Sequence, residues 1–187
     1  MPSAAFGPFI KERKGSLLAR WRKKALAVYP ADSARFYAEE GDAFANPVGQ
    51  SVVESSEQLL NLLLDGGTRE EVGAALEPMI RIRAVQELSP GLALAFVPAL
   101  KAALREEMQD LLVDPAILHA LIDFDERVDE VLLVAFDLYA RCREQVASIR
   151  VREASRHVSG LLRRLGGAEW AEREKPAECA PVPPLRE

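Results

Sequence analysis

The chain has 187 residues, 49% hydrophobic and 28% charged, with 29 acidic against 24 basic side chains and a net charge of −5. That is the mix of one globular domain, able to bury roughly 70% of the surface its unfolded form exposes, and it excludes a collagen-like or wholly disordered chain. The acidic balance argues against nucleic acid as a partner, because polyanion-binding domains usually have isoelectric points above about 9 and this one lies near 5.3.

The basic residues are unevenly placed. Lys11 to Lys24 holds seven against Glu12, and Arg141 to Arg164 holds seven against Glu144 and Glu153, which leaves the remainder strongly acidic. Solvated helix faces account for both segments. No apolar run approaches the ~18 residues of a membrane span, and the first residues (MPSAAFGPFIKERKG) lack a signal-peptide pattern, so membrane insertion is not expected. Cys142 and Cys179 lie far apart without metal-like spacing, which suits a reducing, cytoplasmic setting.

Capping signals and apolar periodicity divide the chain into about seven helices with almost no strand signal. The first is predicted over Phe9 to Val28, with Ile10, Leu17, Trp21, Ala25 and Val28 on one face, ended by Pro30. A short helix follows over Ser33 to Glu40. Asn46 and Pro47 then read as N-cap and first-turn proline of a helix whose stripe is Val48, Val52, Leu59 and Leu63, stopped by Gly66-Gly67. Thr68 with Glu71 forms a capping box, and Pro78 is expected to split the helix it starts into two short pieces. Ser89-Pro90 opens the next, with Leu92, Phe96, Leu100, Leu104 and Leu111 inward and a kink at Pro98. Asp114-Pro115 begins a short helix.

Asp123 and Glu126 are expected to cap a separate helix from Phe124 to Leu165, far longer than the ~11 to 12 residue mean. Its middle, VLLVAFDLYA (Val131 to Ala140), holds one charge, Asp137, and predicts neighbours on nearly all faces. The apolar stripe then changes side. Cys142, Val146 and Ile149 continue the first stripe; Val151, Ala154, Val158, Leu161 and Leu165 form a second at a/d spacing, about 200° round at ~100° per residue. One helix therefore needs two partners, and the second stripe is the expected homodimer face. Gly166-Gly167 ends the helix, so residues 1–166 are expected to form the domain and 167–187 a mobile, proline-rich tail. The pattern is all-α, an irregular globin-like bundle of about seven helices with a long C-terminal helix.

Candidate chemistry is sparse. A haem or small-ligand carrier is the alternative a globin-like bundle invites, but the histidines are only His119, in ILHALI, and His157, late in the long helix. No Cys/His cluster suits zinc, and no nucleophile motif or Glu-x-x-His pattern appears, so neither an enzyme nor a bound cofactor or metal is expected. The carboxylates Asp123, Asp125, Glu126, Asp129 and Glu130 are explained by the dipole at a helix start. Arg81 and Arg83 cannot share an exposed face, since two residues are ~200° apart on a helix. One must turn inward, where it needs a carboxylate or several carbonyls, supplied by a structural partner or an anionic ligand. Arg81, Arg83, Gln86, Tyr139 and Arg143 are therefore the candidate ligand-binding residues.

NPVG (Asn46 to Gly49), RIRAVQELSP (Arg81 to Pro90), FVPALK (Phe96 to Lys101) and FDLYARCREQVASIRVRE (Phe136 to Glu153) resemble the N-terminal, RsbRD-type domain of the RsbT co-antagonist family, over about Phe9 to Leu165. The resemblance implies a helical, globin-like sensory module, without haem, that dimerises and leads by a long helix into a STAS output domain. Only about twenty residues follow Gly167, so the resemblance implies a stand-alone sensor-type domain with a regulatory protein as possible partner.

Overall fold

The computed structural model describes residues 6–39, 41–42, 44–86, 88–111 and 114–164. The expected tail, Cys179 and Leu165 lie outside the described residues. The chain divides into two units, residues 1–146 and 147–187. Among the described residues the structure is all-α: α1 (Phe6–Glu12), α2 (Lys14–Leu26), α3 (Ala31–Glu39), α4 (Pro47–Asp65), α5 (Arg69–Val85), α6 (Pro90–Leu94), α7 (Phe96–Glu107), a 3-10 turn at Gln109–Leu111, and α8 (Pro115–Arg164). Helices of 5 to 50 residues make an irregular bundle, not an up-and-down four-helix one.

The first unit is built around α2, which packs on α7 and α4, while α4 and α5 form a hairpin. Trp21, Leu17, Phe96, Leu100, Leu59, Leu60, Leu76 and Ile80 fill the centre, with Phe6 and Ile10 of α1 closing one end. The Phe6 and Phe124 rings meet at 5.7 Å. Trp21 Nε1 donates to the Phe96 carbonyl at 2.6 Å, which satisfies the one polar atom that this indole brings into the core.

The capping signals at Asn46, Thr68 and Gly66 operate as the sequence indicates. Asn46 Oδ1 accepts from Gly49 N at 2.8 Å with Pro47 at the first helical position. Thr68 and Glu71 close a reciprocal capping box. Gly66 ends α4 in the left-handed region at φ 86°, where a side chain would be strained.

Four expectations are corrected. The first helix is interrupted at Arg13 (φ −100°, ψ 13°), two residues before Gly15, whose missing side chain weakens the turn, and so divides into α1 and α2. α5 runs unbroken through Pro78. Pro78 and Ala74 both lie on its exposed strip, so the Ala74 carbonyl that loses its amide partner is open to water, while Leu76, Met79, Ile80 and Arg83 bury the opposite face. That burial outweighs a proline cost of about 3 kcal/mol. Leu92 is exposed, and Ala93 and Leu94 turn inward instead, because the helix breaks at Ala95, before Pro98, and rotates the register.

The fourth correction concerns α8. The short helix at Pro115 and the long one from Phe124 are a single helix, because Asp123 interrupts nothing in the stripe Ile117, Ala120, Leu121, Phe124, Val128, Val131, Ala135, Tyr139 and Cys142. The cap is Asp114, whose Oδ1 accepts from Ala116 N. Asp125 and Asp129 are therefore mid-helix, where they pair with Arg105 and Lys101 of α7; the dipole explanation does not apply to them. Leu133 and Phe136 are exposed, so VLLVAFDLYA is covered on one face only.

Candidate functional site

Arg83 is the inward member of its pair, 1% exposed; Arg81 faces out and pairs with Glu77 at 2.8 Å. Helix parity dictates that split. The partners of Arg83 are carbonyls: Nη1 donates to Ala93 at 2.9 Å and Nη2 to Ala25 at 2.8 Å. Ala25 lies in the last turn of α2 and Ala93 near the end of α6, where helix carbonyls lack amide partners and the dipole favours a cation. The guanidinium also stacks 4.9 Å from the Phe96 centroid and 5.9 Å from that of Tyr29. Burial lowers the Arg83 pKa, and no carboxylate is among its described partners.

The other candidates gather along the end of α5. Tyr29 Oη donates to Gln86 Oε1 at 2.7 Å, Arg143 Nη1 donates to the Ala84 carbonyl at 2.9 Å, and Tyr139 Oη donates to the Leu88 carbonyl at 3.0 Å. Burial raises the Tyr29 pKa, with Arg83 opposing. Arg83, Gln86, Tyr139 and Arg143 thus converge on one structural junction of α2, α5, α6 and α8, and Arg81 stands outside it. Two clefts of this unit are lined by other residues.

One of those clefts lies between α4, α5 and α8, where Leu62, Val72 and Val134 meet Arg69, Arg127 and Glu130. Asp137 is exposed and pairs with Arg69 of α5 at 2.7 Å. The second cleft lies between α2, α3 and α4. Asn46 builds its edge: while Oδ1 caps α4, Nδ2 donates to the Tyr37 carbonyl of α3 at 3.0 Å. A Cβ at position 49 would sit 2.1 Å from that carbonyl oxygen, so only glycine lets α3 approach the first turn of α4. Sequence reasoning noted Asn46-Pro47 as a helix start but missed the cleft; a glycine three residues after the cap, where helix formers are favoured, was the available signal.

The N-terminal basic segment is mostly neutralised. Lys11, Arg13, Lys14, Arg20, Arg22 and Lys24 pair with Asp65, Glu107, Glu57 or Glu106. Lys23 is the member without an ion pair among the described residues. Such pairing makes these residues a charged seam between helices, consistent with the solvated-face reading.

Both histidines are exposed; His119 Nδ1 lies 2.8 Å from the carbonyl of Pro115 on its own helix, so neither imidazole reaches the interior. Cys142 is buried on the core face of α8, and burial raises its thiol pKa. No group of three or more His, Cys, Asp or Glu with metal-site geometry occurs among the described residues, and none of their helices is long and apolar enough to cross a membrane.

In the second unit, α8 continues without interruption past Ile149. Val151, Val158 and Leu161 are 65%, 56% and 58% exposed, and Ala154 on the same stripe is exposed too. Of the stripe that precedes it, Cys142 is buried, Val146 half-buried and Ile149 48% exposed.

No curated protein and no solved structure matches the chain. A family model, the RsbT co-antagonist protein rsbRD N-terminal domain, matches residues 15–154, spanning the capped helices, the arginine junction and the start of the late stripe. The chain belongs to that family of regulatory, sensory-type domains.

Proposed function

We propose that the chain is a non-catalytic sensory or regulatory module that associates as a homodimer through Val151, Ala154, Val158 and Leu161, with Leu165 next on the same stripe. The observation that carries this reading is the row of exposed valine and leucine at a/d spacing on an unbroken helix. An apolar seam of this kind is favourable only when covered. Two heptads are short for a coiled coil, so a second contact from the bundle has to contribute, and a regulatory protein partner is the natural reader of the assembled dimer. In this reading Arg83, Gln86, Tyr139 and Arg143 hold the helix ends in register, and ligand binding is not their primary role.

The test is light scattering after size exclusion at micromolar concentration. Val158→Glu or Leu161→Glu should convert dimers into monomers while leaving the helical circular dichroism intact. An unsubstituted chain that is already monomeric there removes the proposal. A haem carrier is disfavoured by the outward placement of His119 and His157; addition of haem should give no Soret band characteristic of ligation.

A further inference from the structure

The cleft between α2, α3 and α4 has a volume of about 560 Å³, within the 300–1,000 Å³ typical of small-molecule sites. Its walls are small and apolar: Ala34 and Ala38, one turn apart on α3, face Leu26 of α2 and Val53 of α4. No residue of α3 is fully buried; Ala34 and Tyr37 pack against the core in part, and the cleft is the space that their side chains leave open. The cleft is also preformed, because Asn46 and Gly49 hold the Tyr37 end of α3 against α4. Such a space suits a flexible alkyl chain better than a folded partner.

One edge is cationic. Lys23, which pairs with no carboxylate among the described residues, lies there beside Arg22 and Arg35, against the single acid Glu39. Arg22 is fixed: Nε donates to Ser56 Oγ at 2.8 Å and Nη2 to the Val53 carbonyl at 3.0 Å. Glu57 reaches Arg22 only at 3.9 Å, and burial lowers the Arg22 pKa, so this partly desolvated cation gains from a further anion. Arg35 is bound loosely, 3.9 Å from Asp32. Because Glu57 and Asp32 already offset part of the charge, a monoanion fits better than a phosphate dianion or nucleic acid.

We propose that this cleft binds a medium-chain alkyl carboxylate, its chain lying along Leu26, Ala38 and Val53 and its head group on Lys23 and Arg22. The groups involved lie on α2, α3 and α4, so the proposal stands apart from association through α8.

The experiment is isothermal titration of the full chain with sodium decanoate, with decan-1-ol as the uncharged counterpart. Decanoate should bind one per chain with Kd below about 1 mM. Lys23→Glu should weaken it about tenfold or more by replacing attraction with repulsion, and Ala38→Trp should abolish it by filling the cleft. Both substitutions are at exposed positions, and circular dichroism and light scattering should match the unsubstituted chain. Absence of saturable decanoate binding, unchanged affinity in folded Ala38→Trp, or decan-1-ol binding as tightly as decanoate would overturn the proposal. Loss of dimers without loss of decanoate binding would count against the proposed function alone.

Discussion

Arg83 Nη2 donates to the Ala25 carbonyl at 2.8 Å, so the cation near the end of α5 closes the last turn of α2 from 58 residues away. Its other terminal nitrogen does the same for Ala93. Arg83→Met would keep an apolar stem but leave both buried carbonyls unpaired, each a loss of about 1–3 kcal/mol. We expect the variant to unfold in urea with about 2–4 kcal/mol less stability. Arg81→Ala, which removes only an exposed pair with Glu77, should stay within about 0.5 kcal/mol. Equal effects at the two positions would contradict the junction role of Arg83.

Gly49 and Asn46 test how α3 is held. A methyl group at position 49 meets the Tyr37 carbonyl and the Asn46 amide at 2.1 and 2.2 Å, so α3 or the first turn of α4 must move. Gly49→Ala should cost about 1–3 kcal/mol as an overpacked contact, despite the better helix propensity of alanine. Asn46→Ala removes both the cap and the bond to Tyr37 and should cost about 2 kcal/mol. In each variant, hydrogen exchange should accelerate in residues 31–39 before it does so in α7.

Glu107 governs acid stability at the α2–α7 contact. Its carboxylate accepts from Ser16 Oγ at 2.7 Å, Arg20 Nε at 2.8 Å and Arg13 Nη1 at 3.5 Å. The Ser16 hydrogen bond is the largest of the causes that hold its pKa below 4.5, with the two arginines adding to it. A depressed carboxylate stabilises the fold above its unfolded pKa and loses that contribution as pH falls through the folded value. Glu107→Gln should therefore cost about 1–2 kcal/mol at pH 7, and the gap should narrow as pH drops below 4.5. Asp125 works in the opposite sense: desolvation raises its pKa despite Arg105 and Lys101, so its protonation relieves a burden on the folded state. A gap that is constant from pH 7 to pH 3 would show that the hydrogen bonds to Glu107 do not depend on its charge.

What the sequence discloses about this fold is mostly local. The caps at Asn46, Thr68 and Gly66 act through backbone groups within four residues, and the opposition of Arg81 and Arg83 follows from helix parity. Pro78 misleads because the effect of a proline depends on which face it occupies, a property of packing. Asp123 misleads in the same way: a residue that caps well is also tolerated mid-helix when exposed. The α2–α3–α4 cleft depends on small side chains at Ala34 and Ala38 meeting Leu26 and Val53 from other helices, and no single segment carries a sign of that encounter. The late stripe of α8 is legible as a row of residues on one face because it follows from spacing along a single helix.

Cys142 offers a probe of the core face of α8. It is 8% exposed, and burial keeps its thiol pKa above 9.0, with Arg81 and Arg141 opposing. The thiolate is the reacting form, so low access and low thiolate population act together. In a Cys179→Ser background, which leaves one thiol, iodoacetamide at pH 8 should label the native protein far more slowly than the chain in denaturant, by about a hundredfold or more if labelling requires opening of a stable core. Adding Arg83→Met should speed native labelling, because it loosens the α5 end on which Arg143 of the same helix bonds Ala84. Native labelling as fast as that of the unfolded chain would mean that the Tyr139 to Cys142 turn is not packed, and the junction at the end of α5 would lose one of its four helices.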